Sequence, residues 1–302
     1  MTFKKVVIWG YTPPFRHTHH PIHKGFYRAF KHLGYETLWL DDSMDVSNIN
    51  FDNCLFLTEG QVCKSIPINA LSKYVLHNCS KEIFNSIQSK NKLILQFYHR
   101  DVLKYEAEKL NLYTYRDKYC LYQPWATNLL PHEIELDSAQ RNIKGDCVWI
   151  GSYNENDASR FENHSQLKPF VELAKAFGDK FIHIDPWKNP VSDEENKRLV
   201  NTSSLAPAIV SNFQKEIDYL SCRTMKNISY GHMGISNSSF ANQVFEGKLV
   251  YSDDPKNLFY LSLEHLNDPK GISKIQDLMK DVQANHTYIN RVKNIINCLG
   301  ES

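Results

Sequence analysis

Long apolar runs are missing from this chain: nowhere do the roughly 18 uninterrupted apolar residues of a membrane-crossing helix occur. The opening, MTFKKVVIWGY, has too short an apolar stretch for a secretory leader and no small-residue cleavage site, so it reads as a first β-strand. An excess of one charge is also lacking. The formal net charge is +1, with no basic block and no acidic tail. That removes the electrostatic footprint of a dedicated duplex-DNA binder, argues weakly against nucleic acid as a partner without excluding it, and points to a small anion as ligand. The seven cysteines form no CxxC pair and no zinc-type spacing, and an odd number cannot all pair within one chain; reduced thiols and a cytoplasmic setting are expected. No GxGxxG follows any strand-like run, which argues against a Rossmann oxidoreductase. Internal repeats and low-complexity tracts are absent as well.

What is present is a globular composition, 42% apolar and 23% charged, over 302 residues, a length suited to two cores. Strand-like runs rich in β-branched and aromatic residues alternate with helix-like segments, the α/β pattern of a parallel sheet covered on both faces. In the first half strands are expected at residues 5–9, 36–40, 54–57, 74–77 and 93–98, and helices at 21–33, 81–88 and 102–110. The first helix carries the stripe Ile22, Phe26, Phe30 and Leu33 and stops at Gly34. Between 123 and 144 the periodicity dissolves into QPWATNLLPHEIELDSAQRNIKG, which places a joint there: one Rossmann-like domain over 1–143 and a second over 144–302 with a helical tail at 272–299. The second half repeats the alternation, with strands at 147–150, 180–184, 208–211, 234–236 and 249–251 and helices at 167–177, 193–201, 213–228 and 239–245.

Open α/β sheets bind ligands at the carboxyl ends of their strands, so the loops that follow strands carry the functional expectations. After the first strand comes WGYTPPFRHTHHPIHK, leading into the first helix. Histidine titrates near neutrality and can take a proton from a hydroxyl, which makes His19 or His20 the candidate general base. The bland reading of any one of these histidines is a loop-packing or capping role. A zinc site from His17, His19, His20 and His23 is the sharper rival, disfavoured because adjacent residues cannot all face one ion and no carboxylate or cysteine stands nearby in sequence.

In the second half, Arg223 and Lys226 stand three apart, on one face of a helix, and the turn Gly231–Gly234 leads to Asn237 and Ser238 at another helix start. Two cations, hydroxyls and free backbone N–H groups suit a departing diphosphate, whose growing charge must be met in place, and they would make a divalent metal unnecessary. An ordinary solvated RxxK pair is the plain alternative. Glu246, at a helix end beside this loop, could accept hydrogen bonds from a ribose diol. Asp253 and Asp254 read as a solvated turn before Pro255 rather than as a metal motif. Further polar residues at strand ends, His17, Glu59, His77, His99 and Asp101, are candidates for recognising acceptor hydroxyls.

Several stretches together resemble one known group: VVIWGY, HTHH with GFYRAFKHLGYETLWLDD, QPWATNLLP, WIGSY and CRTMKNISYGHMGISNS are similar to bacterial and viral family-one-like glycosyltransferases of the GT-B class. The resemblance implies an acceptor domain first, a nucleotide-sugar domain second and a helical tail that crosses back. It implies that Arg223 and Lys226 hold the donor diphosphate beside Gly231 to Ser238, that the nucleotide lies around Gly151, Ser152 and Glu246, and that His19 or His20 is the base. The chain departs from the retaining pattern of two glutamates eight apart, since only Glu246 is available, and inversion is the expectation. A metal-independent glycosyltransferase acting on a glycan or other hydroxyl acceptor is thus expected. A nucleotide-sugar epimerase and a non-catalytic nucleotide- or sugar-binding protein are the alternatives.

Overall fold

A computed structural model describes residues 3–12, 19–59, 65–99, 108–111, 114–116, 120–153, 164–186 and 188–300. Two compact units divide the chain: Met1–Gln123 with Tyr288–Ser302, and Pro124–Thr287. The division falls earlier than the joint expected at 143, and the final helix belongs with the first unit rather than the second. No helix among the described residues is long and apolar enough to cross a membrane.

Among the described residues the first unit has eight strands: β1 (Lys5–Trp9), β2 (Thr37–Leu40), β3 (Cys54–Glu59), β4 (Lys73–His77), β5 (Lys92–Gln96), β6 (Glu108–Asn111), β7 (Thr114–Arg116) and β8 (Cys120–Tyr122). They form one sheet in the order β2-β1-β3-β4-β5-β8-β7-β6. The first five strands and β8 run parallel, whereas β7 is antiparallel to both its neighbours. Val6, Val7, Ile8 and Trp9 are all buried, the mark of a parallel strand covered on both faces. The helix expected over 102–110 is corrected at its end, because residues 108–111 are the edge strand β6, paired with β7 through Glu108 and Arg116.

Helix α1 (His20–His32) starts with proline in its first turn and buries Ile22, His23, Gly25, Phe26, Ala29 and Phe30. It packs on the last helix of the chain, Tyr288–Cys298, where the Phe26 and Tyr288 rings stand 4.7 Å apart. Gly25 permits that approach: a Cβ there would lie 2.2 Å from the Tyr288 ring. Helix α2 (Lys81–Ser86) is capped by the Ser80 hydroxyl.

In the second unit β9 (Cys147–Ile150) pairs with β10 (Phe181–Ile184), and β11 (Ile235–Ser236) with β12 (Val250–Tyr251), all parallel. Residues 205–210 lie between the two pairs, bridging Cys147 through Leu205 and Ser236 through Ala208. The strand expected at 208–211 is thus reduced to single bridges; Pro207, with no N–H to give, sits where the ladder would otherwise run. The helices are α3 (His164–Ala176), α4 (Asp193–Thr202), α5 (Asn212–Glu216), α6 (Cys222–Ser229), α7 (Ser239–Val244), α8 (Pro255–Asn267) and α9 (Gly271–Asn285), and α10 (Tyr288–Cys298) returns to the first unit. One helix expected over 213–228 is instead two, interrupted near Asp218, which has a left-handed backbone at φ 51°. The expected tail likewise divides into α9 and α10.

Both units reverse direction in the same way. The chain leaves β1 for β2 on one side and returns to β3 on the other. In the second unit it leaves β9 for β10 and returns to residues 205–210 on the far side of β9. Each sheet therefore has a switch point at the carboxyl end of its first strand, the place where open α/β sheets take ligands.

Candidate active site

In the first unit the switch point is shaped by two residues with positive φ, Gly10 at 101° and Tyr11 at 55°. Their backbone turns two carbonyls toward polar side chains. The Gly10 carbonyl accepts from Trp39 Nε1 at 2.8 Å and faces His23 Nδ1 at 2.9 Å, while the Tyr11 carbonyl faces His20 Nδ1 at 2.7 Å. A carbonyl only accepts, so the neutral rings of His20 and His23 carry their proton on Nδ1 and leave Nε2 as an acceptor. His23 is buried and His20 half-buried, its ring 5.1 Å from that of Trp39. His19, just before α1, lies on the other side of the turn, with ring contacts to Tyr11 at 5.6 Å and His77 at 5.8 Å. His20 and His23 thus face two different carbonyls.

The acceptor candidates divide. His77 closes β4, buried, with Nδ1 3.1 Å from the Leu95 carbonyl and its ring 4.5 Å from Phe97. His99 is buried between the Tyr115 and Tyr122 rings. Of Glu59 only the backbone is described, as the last residue of β3, and His17 and Asp101 lie outside the described residues.

In the second unit Arg223 is the best-defined polar group at the switch point. Its guanidinium lies 3.8 Å over the Trp149 ring, and Nε and Nη2 donate to the Ile150 carbonyl at 3.2 and 2.9 Å. Gly151 makes room: a Cβ there would stand 2.2 Å from the Arg223 Nη2. Burial pushes the guanidinium pKa down from its ordinary value. Lys226 shares α6, half-buried, and its ammonium has no hydrogen-bond or ion-pair partner among the described residues. Ser152 is exposed, its carbonyl accepting from Trp149 Nε1 at 3.1 Å.

Asn237 and Ser238 are more structural than the sequence implies. Asn237 is fully buried; its Oδ1 accepts from the Val210 N–H at 2.8 Å and its Nδ2 donates to the Val210 carbonyl at 3.0 Å. Ser238 caps α7 by accepting from the Ala241 N–H. Gly231, at φ 86°, lets its backbone lie against Ser138, whose carbonyl oxygen would be 2.4 Å from any Cβ. Glu246 follows α7 with φ 54°, and its exposed carboxylate meets Lys248 Nζ at 2.7 Å. Sequence reasoning missed two contributors: Trp149 under Arg223, and Lys215, whose Nζ donates to Gln166 Oε1 at 2.8 Å and to the Asp253 carbonyl at 3.2 Å. The Asp254 carboxylate caps α8 by accepting from the Asn257 N–H. Among the described residues no group of three or more His, Cys, Asp or Glu could hold a metal ion.

No family model matches the chain, and no curated protein matches it in sequence. Solved structures do resemble it. An α-glucosyltransferase in complex with UDP and a 13-mer DNA containing a HMU base has a TM-score of 0.62 at 10% identity, over 99% of this chain and 100% of that one. An α-glucosyltransferase (AGT) in complex with UDP has 0.63 at 8% identity, over 97% and 99%. The BGT of T4 phage, in complex with UDP and Mn2+, has 0.53 at 10% identity, over 98% and 99%. At these identities the likeness is one of fold: the chain has the α/β, doubly Rossmann-like GT-B architecture that these glucosyltransferases share.

Proposed function

We propose that the chain is a glycosyltransferase that takes a sugar from UDP and passes it to a hydroxyl group. The supporting observation is the likeness of nearly the whole chain to glucosyltransferase structures that contain UDP. Arg223 and Lys226, at the carboxyl end of the second unit's sheet, would meet the diphosphate; Gly151, Ser152 and Glu246 would surround the nucleotide, with Gly231, Asn237 and Ser238 shaping the loop beside it. In the reaction the acceptor oxygen bonds to the sugar's anomeric carbon, the bond from that carbon to the phosphate oxygen breaks, and UDP leaves with the electron pair. The acceptor's proton goes to a base in the first unit.

Of the two candidate bases His20 is favoured, since its Nδ1–H is committed to the Tyr11 carbonyl and its Nε2 holds the lone pair. An asparagine places an amide where Nδ1 stood and removes Nε2. His20→Asn is therefore expected to fold with unchanged melting temperature yet lose about 100- to 10,000-fold in kcat. Turnover within threefold of wild type would rule His20 out as the base.

Metal independence and inversion draw no support from the solved structures, one of which contains Mn2+ and two of which are α-glucosyltransferases. Both stay in the proposal on this chain's own residues: two cations for the diphosphate, and a basic imidazole for a direct displacement. No step is routed through a metal. The DNA in one of these structures brings nucleic acid back as a partner, and a hydroxyl on a base in DNA is the first acceptor to test, ahead of glycans. The deciding experiment supplies labelled UDP-glucose with hydroxymethylated DNA or a glycan, with and without EDTA, and reads the product's anomeric coupling by NMR. Donor conversion without any acceptor would favour an epimerase; UDP binding with no donor consumed would favour a binding protein.

A further inference from the structure

We propose that Lys215 is a third cation of the nucleotide site, binding the diphosphate of the donor alongside Arg223 and Lys226. The inference rests on reading the second unit as the donor unit. Lys215 stands on α5, immediately after residues 205–210, and those residues form the strand-like segment beside β9 at the switch point. It is thus at the carboxyl end of the sheet, where a ligand is expected.

The way Lys215 is held points to a ligand. Its two hydrogen-bond partners are neutral oxygens, the Gln166 amide and the Asp253 backbone carbonyl, and it forms no ion pair among the described residues. An ammonium has three N–H groups, so one is left over. Gln166 Oε1 is itself fixed, since Asn237 Nδ2 approaches it at 3.4 Å while the same amide grips Val210. Within hydrogen-bond reach this half-buried ammonium meets only neutral oxygens, and its third N–H is unspent. Burial accordingly pulls the Lys215 pKa down, against the opposing pull of Asp253 and Asp254. A diphosphate oxygen supplies the missing acceptor, and supplies it as a charged one in direct contact.

A clamp that merely ties α5 to α3 would explain the two hydrogen bonds but predicts no preference among nucleotides. Calorimetric titration of the full chain with uridine, UMP and UDP separates the cases. In Lys215→Met, UDP affinity is expected to fall about 10- to 100-fold and uridine affinity to stay within twofold. Lys215→Arg should keep most of the UDP affinity, and Lys215→Gln, which keeps a hydrogen-bonding tip without charge, should lose it as the methionine does. An unchanged ratio of UDP to uridine affinity in both uncharged variants overturns the assignment. Wild-type protein that binds no UDP overturns the donor-unit reading as well, whereas UDP binding that survives loss of the charge removes Lys215 alone.

Discussion

Arg223→Ala is expected to lower turnover at saturating donor by about 100- to 1,000-fold, the usual cost of removing one group that meets charge developing in the transition state. The geometry makes this side chain the strongest candidate for such a loss. It lies 3.8 Å over Trp149 and is fastened to the Ile150 carbonyl by Nε and Nη2, so its position is set before any ligand arrives. A stacked guanidinium gains up to about 2 kcal/mol when desolvated. Nη1 takes no part in those bonds and can face an incoming phosphate. Arg223→Lys is expected to fall well short of wild type, because an ammonium cannot reproduce the stacked fork. Single-turnover kinetics with labelled UDP-glucose reads the effect; full activity in the alanine variant would remove the second unit's switch point as the donor site.

Lowering the pH from 6.5 to 4 is expected to destabilise the second unit by about 3 kcal/mol through His232. Both ring nitrogens of this buried residue face carbonyls, Met233 at 2.9 Å and Ser204 at 3.3 Å. A doubly protonated ring would satisfy both, and those bonds favour it, but burial outweighs them and holds the pKa down at about 4. The folded state therefore keeps the ring neutral where the unfolded chain, with a pKa near 6.5, takes up a proton. Stability is complete above 6.5 and drains away as the pH falls toward 4. His265 is shifted the same way, chiefly by burial, and adds to the slope. Denaturant titrations at pH 7, 5.5 and 4.5 measure it. A midpoint that does not move over that range would contradict the buried neutral ring.

The central strands were legible because burial on both faces demands continuous apolar sequence: VVIW in β1 and CVWI in β9 could hardly be anything else. The short strands β6, β7 and β8 were not, since three or four residues are too few to show a period. The split between α5 and α6 was hidden for a different reason: a left-handed Asp218 breaks an apolar spacing that still reads as helical. At the site, the pair Arg223 and Lys226 could be found because one helix carries both. Trp149 and Gln166 could not, since each meets its cation only after strands and helices distant in sequence have packed. Asn237 shows the converse: a polar side chain in a glycine- and serine-rich loop looked available, yet its amide is occupied by the Val210 backbone.

The return of α10 to the first unit has a consequence for synthesis. Arg291, Val292 and Ile295 are buried there, and Tyr288 fills the space that Gly25 leaves open. A ribosome delivers those residues after the whole of the second unit, so the first unit waits for its closing helix while the second already has every residue it needs. In the order of birth, the second unit is complete before the first.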